Sequence, residues 1–130
     1  MISYKDNPTI ILTSYAKFPR WGYQGYTPIS ISYTVPQVPS DLYRMQSAIP
    51  DYETMVKPFK EGNITWEEYE VRYLTPNRIV NVTDEVRQMI KYQDRLALLC
   101  WCTDYNICHR SIVYDIIQAK LYEEVRVWIE

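Results

Sequence analysis

The chain has 130 residues, with 14 basic against 16 acidic side chains and a net charge of −2. That length predicts a single domain over 1–130 with a core large enough to need no disulfides, and the charge balance excludes broad nucleic-acid binding, which depends on clustered positive charge. No apolar run approaches the roughly 18–20 residues that span a bilayer, and residues 1–8 lack a basic-then-apolar leader, so the expected location is cytoplasmic, without membrane contact.

Thr9-Ile10-Ile11-Leu12-Thr13-Ser14 is short, apolar and β-branched, and predicts a first strand. A loop follows over 15–26. Pro28 to Val35 alternates with period two, predicting a second strand closed by Pro36 and Pro39. Two short helices are predicted over Asp41–Ala48 and Asp51–Lys60, with Pro58 expected to end or kink the second. Thr65 and Glu68 have the spacing of a capping box and open a third helix, on which Trp66, Tyr69 and Tyr73 recur at helical spacing until Pro76. Thr83 is expected to cap a fourth over Asp84–Tyr92.

Arg95 to Cys102 is nearly continuous in apolar residues, the pattern of a central parallel strand buried on both faces. Cys108 to Leu121 is amphipathic, with Ile112, Val113, Ile116, Ile117 and Leu121 on one stripe. Val125 to Ile129 predicts a last strand. The expected fold is a single three-layer α/β domain with a small, mostly parallel sheet flanked by helices.

The chemistry concentrates in one place. All three cysteines and the only histidine fall between Cys100 and His109, where the central strand hands over to the last helix. Ligands of open α/β sheets bind beyond the carboxyl ends of strands, and free N–H groups at a helix start attract anions. Cys108 at such a start is expected to have a lowered pKa, and Arg110 offers a planar fork for phosphate or carboxylate. These residues predict a small-anion site with Cys108 and His109 as the reacting pair. Ser14, Tyr15 and Lys17 after the first strand, and Arg20 and Trp21 in the aromatic loop, are further candidates for it, through stacking and charge.

Two other readings fit the same stretch. Cys100, Cys102, Cys108 and His109 number four potential ligands, as structural zinc requires, although without the usual Cys-x2-Cys spacing and with two of them expected on a rigid strand. A purely structural junction is the other, with His109 bonded to a strand carbonyl beneath its helix and the segment Trp21–Tyr26 serving as a partner surface.

Leu98-Leu99-Cys100 followed by Cys108-His109-Arg110-Ser111-Ile112-Val113 resembles the close of an uncharacterised family, the domain of unknown function 488. Thr13-Ser14-Tyr15-Ala16, Ile29-Ser30-Ile31-Ser32 and Lys60-Glu61-Gly62 with Glu67-Glu68-Tyr69 and Tyr73 resemble its earlier segments, so the likeness covers nearly the whole chain. Members of that family usually have an acidic residue near the position of Cys102, so this second cysteine is a departure from it. The run Cys100-Trp101-Cys102 to Cys108-His109 is also similar to a second uncharacterised group of nucleotide-binding-like α/β proteins. The spacing from Cys102 to the helix is similar to the phosphate loop of cysteine phosphatases and rhodaneses, but Cys108 occupies the place of their arginine.

The expectation is a small protein that binds a small anionic, nucleotide-like ligand, with the question of a reaction on that ligand left open. Cys108 and His109 are the catalytic candidates; Arg110, Cys102, Ser14, Tyr15, Lys17, Arg20 and Trp21 are the binding candidates. That reading assigns no metal ligand and names no cofactor.

Overall fold

The computed structural model describes residues 7–18, 25–36, 42–102 and 104–130. Five parallel strands, β1 Thr9–Ser14, β2 Thr27–Ser30, β3 Tyr43–Arg44, β4 Arg95–Cys100 and β5 Arg126–Ile129, form one sheet in the order β3-β2-β4-β1-β5. The apolar run places β4 in the middle, where Leu96 and Leu98 face one core and Ala97 and Leu99 the other. Its register sets Cys100 beside Ser14 of β1 and Leu99 beside Ser30 of β2, so three strand ends finish level.

The helices are α1 Lys57–Lys60, α2 Trp66–Tyr73, α3 Pro76–Ile90 and α4 His109–Leu121. Their apolar faces all belong to the larger core, with Ile10, Leu12, Leu96 and Leu98 of the sheet beneath them. The opposite sheet face, Ile11, Ala97 and Leu99, is covered by Tyr15, Phe18 and Tyr26. The third layer is therefore made of aromatic loop side chains among the described residues, and the helices gather where the large core is.

Several expected boundaries move, each for a local reason. The second strand stops at Ser30 instead of reaching Val35: after Ile31 N–H donates to the Leu99 carbonyl, the chain turns away, with Ser32 Oγ donating to the Thr34 carbonyl at 2.5 Å. Asp41–Ala48 is not a helix. Asp41 lies outside the described residues, Tyr43–Arg44 pairs with β2 as an edge strand, and one 3₁₀ turn follows over Gln46–Ala48. Asp51 does cap a helical segment, but it starts as wide π turns over Tyr52–Val56 and runs on through α1. Pro58 does not end it: it stands in the first turn of α1, at the point where the π turns give way to α-helix. Gly62 at φ +75° takes the left-handed conformation that closes this helix.

The capping box of α2 forms as expected, with reciprocal bonds of 3.1 Å between Thr65 and Glu68. Pro76, however, both follows α2 and begins α3, whose cap is Thr75 and not Thr83. Thr83 lies inside that helix and donates to the Ile79 carbonyl. Thr75 Oγ1 accepts from Arg78 N–H at 3.1 Å, and Thr75→Ala should cost about 1 kcal/mol, the usual worth of such a cap. A urea unfolding midpoint equal to that of wild type would remove Thr75 from this role. Lastly, β4 ends at Cys100 and α4 begins at His109, so Cys102 is off the strand and Cys108 is the N-cap residue. No described helix is long and apolar enough to cross a membrane.

Candidate functional site

The level ends of β1, β4 and β2 and the first turn of α4 bring the three sulfurs together. Cys100 closes β4, Cys102 lies two residues on where the chain has left the sheet, and Cys108 returns as the cap of α4. Their Sγ atoms all lie within 4.8 Å of one another, and Cys100 and Cys108 approach to 2.9 Å. Strand geometry would have held Cys102 on the face of Cys100; ending the strand at Cys100 frees it to turn toward Cys108.

Arg110 sits under this cluster, completely buried. Nη1 donates to the Cys102 carbonyl at 3.1 Å and to Cys100 Sγ at 3.5 Å, while Nε and Nη2 have no hydrogen-bond partner among the described residues. No carboxylate forms an ion pair with it there. The first turn of α4 also contains no acidic residue, so the helix dipole and the guanidinium both present positive charge to the thiols. A buried cation calls for a countercharge. Cys102 supplies it: hydrogen bonds from Cys100 and then Cys108, aided by Arg110, hold its thiol down to about 2 against the opposing effect of burial. Cys100 is pushed up to about 12, chiefly by its bond to Cys102, and Cys108 is also raised, chiefly by its bond to Cys100. Of the three, Cys102 is the thiol favoured to ionise, and Cys100 and Cys108 are the ones held protonated.

His109 is buried and its pKa is lowered, first by that burial. Nε2 lies 2.5 Å from the Ile31 carbonyl, which can only accept, so Nε2 carries the proton and Nδ1 keeps its lone pair. Nδ1 faces Cys108 Sγ at 4.0 Å. The ring packs against Tyr73 with centroids 5.7 Å apart.

Above the cluster opens a cleft of about 280 Å³. Its floor is Cys100, Cys102, Cys108 and His109; its walls come from Ser32, Tyr33 and Thr34 after β2, from Tyr52, Phe59 and Lys60, and from Trp66, Tyr69 and Trp101. Tyr33 stacks on Tyr52 with centroids 4.9 Å apart, and Trp66 on Tyr69 at 5.0 Å. Trp101 is held by its indole N–H donating to Thr34 O and by Tyr15, whose ring centroid lies 4.6 Å away. The result is a flat-walled aromatic slot over the three cysteines, with Lys60 on its rim.

The sequence-predicted residues divide into three groups. Cys102, Cys108 and His109 line the cleft together. Arg110 belongs to the same cluster but lies beneath it instead of facing the cleft. Ser14 ends β1 and Tyr15 and Lys17 follow it, nearby but without lining the cleft: Ser14 is buried and its Oγ accepts from Lys17 N–H, and Tyr15 Oη bonds Ser30 and Ser32. Arg20 and Trp21 lie outside the described residues, as does the segment Trp21–Tyr26 up to residue 24; Tyr26 covers the smaller core. Sequence reasoning missed Tyr33, Tyr52, Phe59, Lys60 and Trp101 as walls. The excess of 13 tyrosines and 4 tryptophans was the available signal, but no periodicity links segments that meet only in the fold.

A protein-family model, DUF488-N3a, described as the active DUF488-N3 subclade, matches residues 31–121. That span includes every residue lining the cleft. No curated protein matches the chain, and no solved structure does.

Proposed function

The chain belongs to the DUF488 family, and from that premise we propose that it binds a small, planar, anionic ligand of the nucleotide class in the aromatic cleft, against the Cys102 thiolate. The observation that carries this reading is the shape and chemistry of the cleft: paired aromatic walls, a volume of about 280 Å³ suited to a base or nucleoside, and Lys60 where a phosphate would emerge. Aromatic faces accept any base by stacking, worth about 1–3 kcal/mol each. Arg110 contributes from below, by holding Cys102 ionised and its carbonyl fixed, and the neutral His109 offers an acceptor at the floor. This arrangement supplies a nucleophile and a proton acceptor at the base of a binding slot, the combination that covalent catalysis uses.

The test is binding of adenosine, guanosine, cytidine and uridine phosphates to purified protein by thermal shift and calorimetry. At least one should raise the melting temperature. Trp101→Ala should weaken its binding by about tenfold, in line with one stacked base, and Lys60→Ala should weaken the phosphorylated form more than the nucleoside. Both side chains are exposed, so the variants keep the fold. No shift with any of the set, or equal affinity in Trp101→Ala, would reject the reading.

A further inference from the structure

The three sulfurs form a more specific object than a reactive thiol. The geometry points to a metal centre: we propose that Cys100, Cys102 and Cys108 together bind one divalent zinc-class ion whose fourth coordination position opens onto the cleft. This does not rest on the nucleotide reading, and either can hold without the other.

Convergence is the first argument. The ligands come from a strand end, a turn and a helix cap, yet all three Sγ atoms lie within 4.8 Å of one another. A tetrahedral zinc with bonds of about 2.3 Å sets its sulfurs about 3.8 Å apart, so only small side-chain rotations separate this cluster from a coordination shell. Cys100 and Cys108 at 2.9 Å are inside ordinary nonbonded contact. An ion would move Cys100 and Cys108 apart from 2.9 Å, and it accounts for the convergence of the third sulfur, Cys102, which a disulfide between the other two does not.

Charge is the second. Arg110 is fully buried, with Nε and Nη2 unpartnered and no carboxylate beside it among the described residues. Three thiolates around a divalent ion leave one net negative charge, which one guanidinium neutralises. A monovalent ion would leave two and a trivalent ion none, so the cation already present selects the divalent case. Arg110 Nη1 donating to Cys100 Sγ at 3.5 Å is the outer hydrogen bond that thiolate centres normally carry.

Access is the third. Cys100, Cys102 and Cys108 all line the cleft, so the open position faces it. Three protein ligands with one open position is the arrangement of zinc sites that bind a water or a ligand atom; purely structural sites fill all four positions.

The experiment is metal analysis and cobalt substitution of the full chain, purified reduced and without chelator. One equivalent of zinc per chain is expected. After chelator stripping, Co(II) should restore one equivalent with intense thiolate-to-cobalt charge-transfer bands, and azide should perturb the cobalt ligand-field bands through the open position. Cys102→Ser should weaken cobalt binding by at least about tenfold, the cost that even an outer partner carries, with an unchanged far-UV circular dichroism spectrum. Cadmium NMR of the wild-type protein counts the sulfur donors without any substitution. A shift reporting three supports the centre; two or fewer, or no charge-transfer band in folded reduced protein, overturns it.

Discussion

In metal-stripped, reduced protein, Cys102 should react with iodoacetamide at nearly the same rate from about pH 6 to about pH 8, a range in which an ordinary thiol slows about tenfold for each unit of acidification. The sign follows from its pKa being held near 2. Ionisation is complete well below the range tested, so lowering the pH removes no nucleophile until far more acid conditions. At about pH 6 a thiol with the usual pKa of about 8.5 is roughly 300-fold less ionised than a full thiolate. The flat profile is the diagnostic feature, because a low pKa also lowers intrinsic nucleophilicity and keeps the plateau rate modest. Cys100→Ala removes the leading cause of the shift and should move the onset of Cys102 reactivity to higher pH. Mass spectrometry of the labelled peptide assigns the site. A wild-type profile with the ordinary tenfold slope, or labelling at Cys108 in preference to Cys102, would contradict the charge distribution described above. Loading with zinc should suppress the reaction, which connects this measurement to the metal centre.

Much of this arrangement could be read from the chain, because it depends on local rules. The run Leu96-Ala97-Leu98-Leu99 required a strand buried on both faces, and it became the middle of the sheet. The stripe on α4 is buried throughout, and Thr65 with Glu68 formed the capping box. Errors arose where one residue type serves two opposite purposes. Pro76 was legible as the end of α2 but not as the start of α3, since proline is favoured in both places. The length of β2 was overread because alternation continues after hydrogen bonding to β4 has stopped. At the site, the nearness of the cysteines in sequence was visible, but their convergence was not. It depends on β4 ending at Cys100, and no pattern in Cys100-Trp101-Cys102 marks that end. Arg110 was expected to face a ligand because its planar fork at a helix start suits phosphate or carboxylate. Its position under three thiols reverses that expectation and gives the cluster its charge.

Replacing Tyr73 by alanine should cost about 3–5 kcal/mol, the range for deleting a buried aromatic ring, and Tyr73→Phe about 1–3 kcal/mol, the cost of leaving a buried acceptor unpaired. Tyr73 is fully buried, and its hydroxyl donates to the Ala48 carbonyl at 2.5 Å. The Arg78 guanidinium lies 4.3 Å from its ring centroid and donates to the carbonyls of Ser47 and Ile49 at 2.9 and 3.1 Å. Together these bonds fix the segment leading to Pro50, which lines the cleft, while the ring's other neighbours are Tyr69 and His109. Tyr73 thus joins α2, α3, α4 and the 3₁₀ turn at one point. The two variants separate its contributions. Tyr73→Phe keeps the ring beneath His109 and should leave the Cys102 pH profile unchanged while lowering the urea midpoint. Tyr73→Ala should lower the midpoint further and also weaken ligand binding, because the wall containing Tyr69 and the segment ending at Pro50 lose their common support. If both variants unfolded within about 0.5 kcal/mol of wild type, a margin typical of surface substitutions, Tyr73 would not hold the wall to the floor, and the rigidity of the cleft would have to come from the sheet side alone.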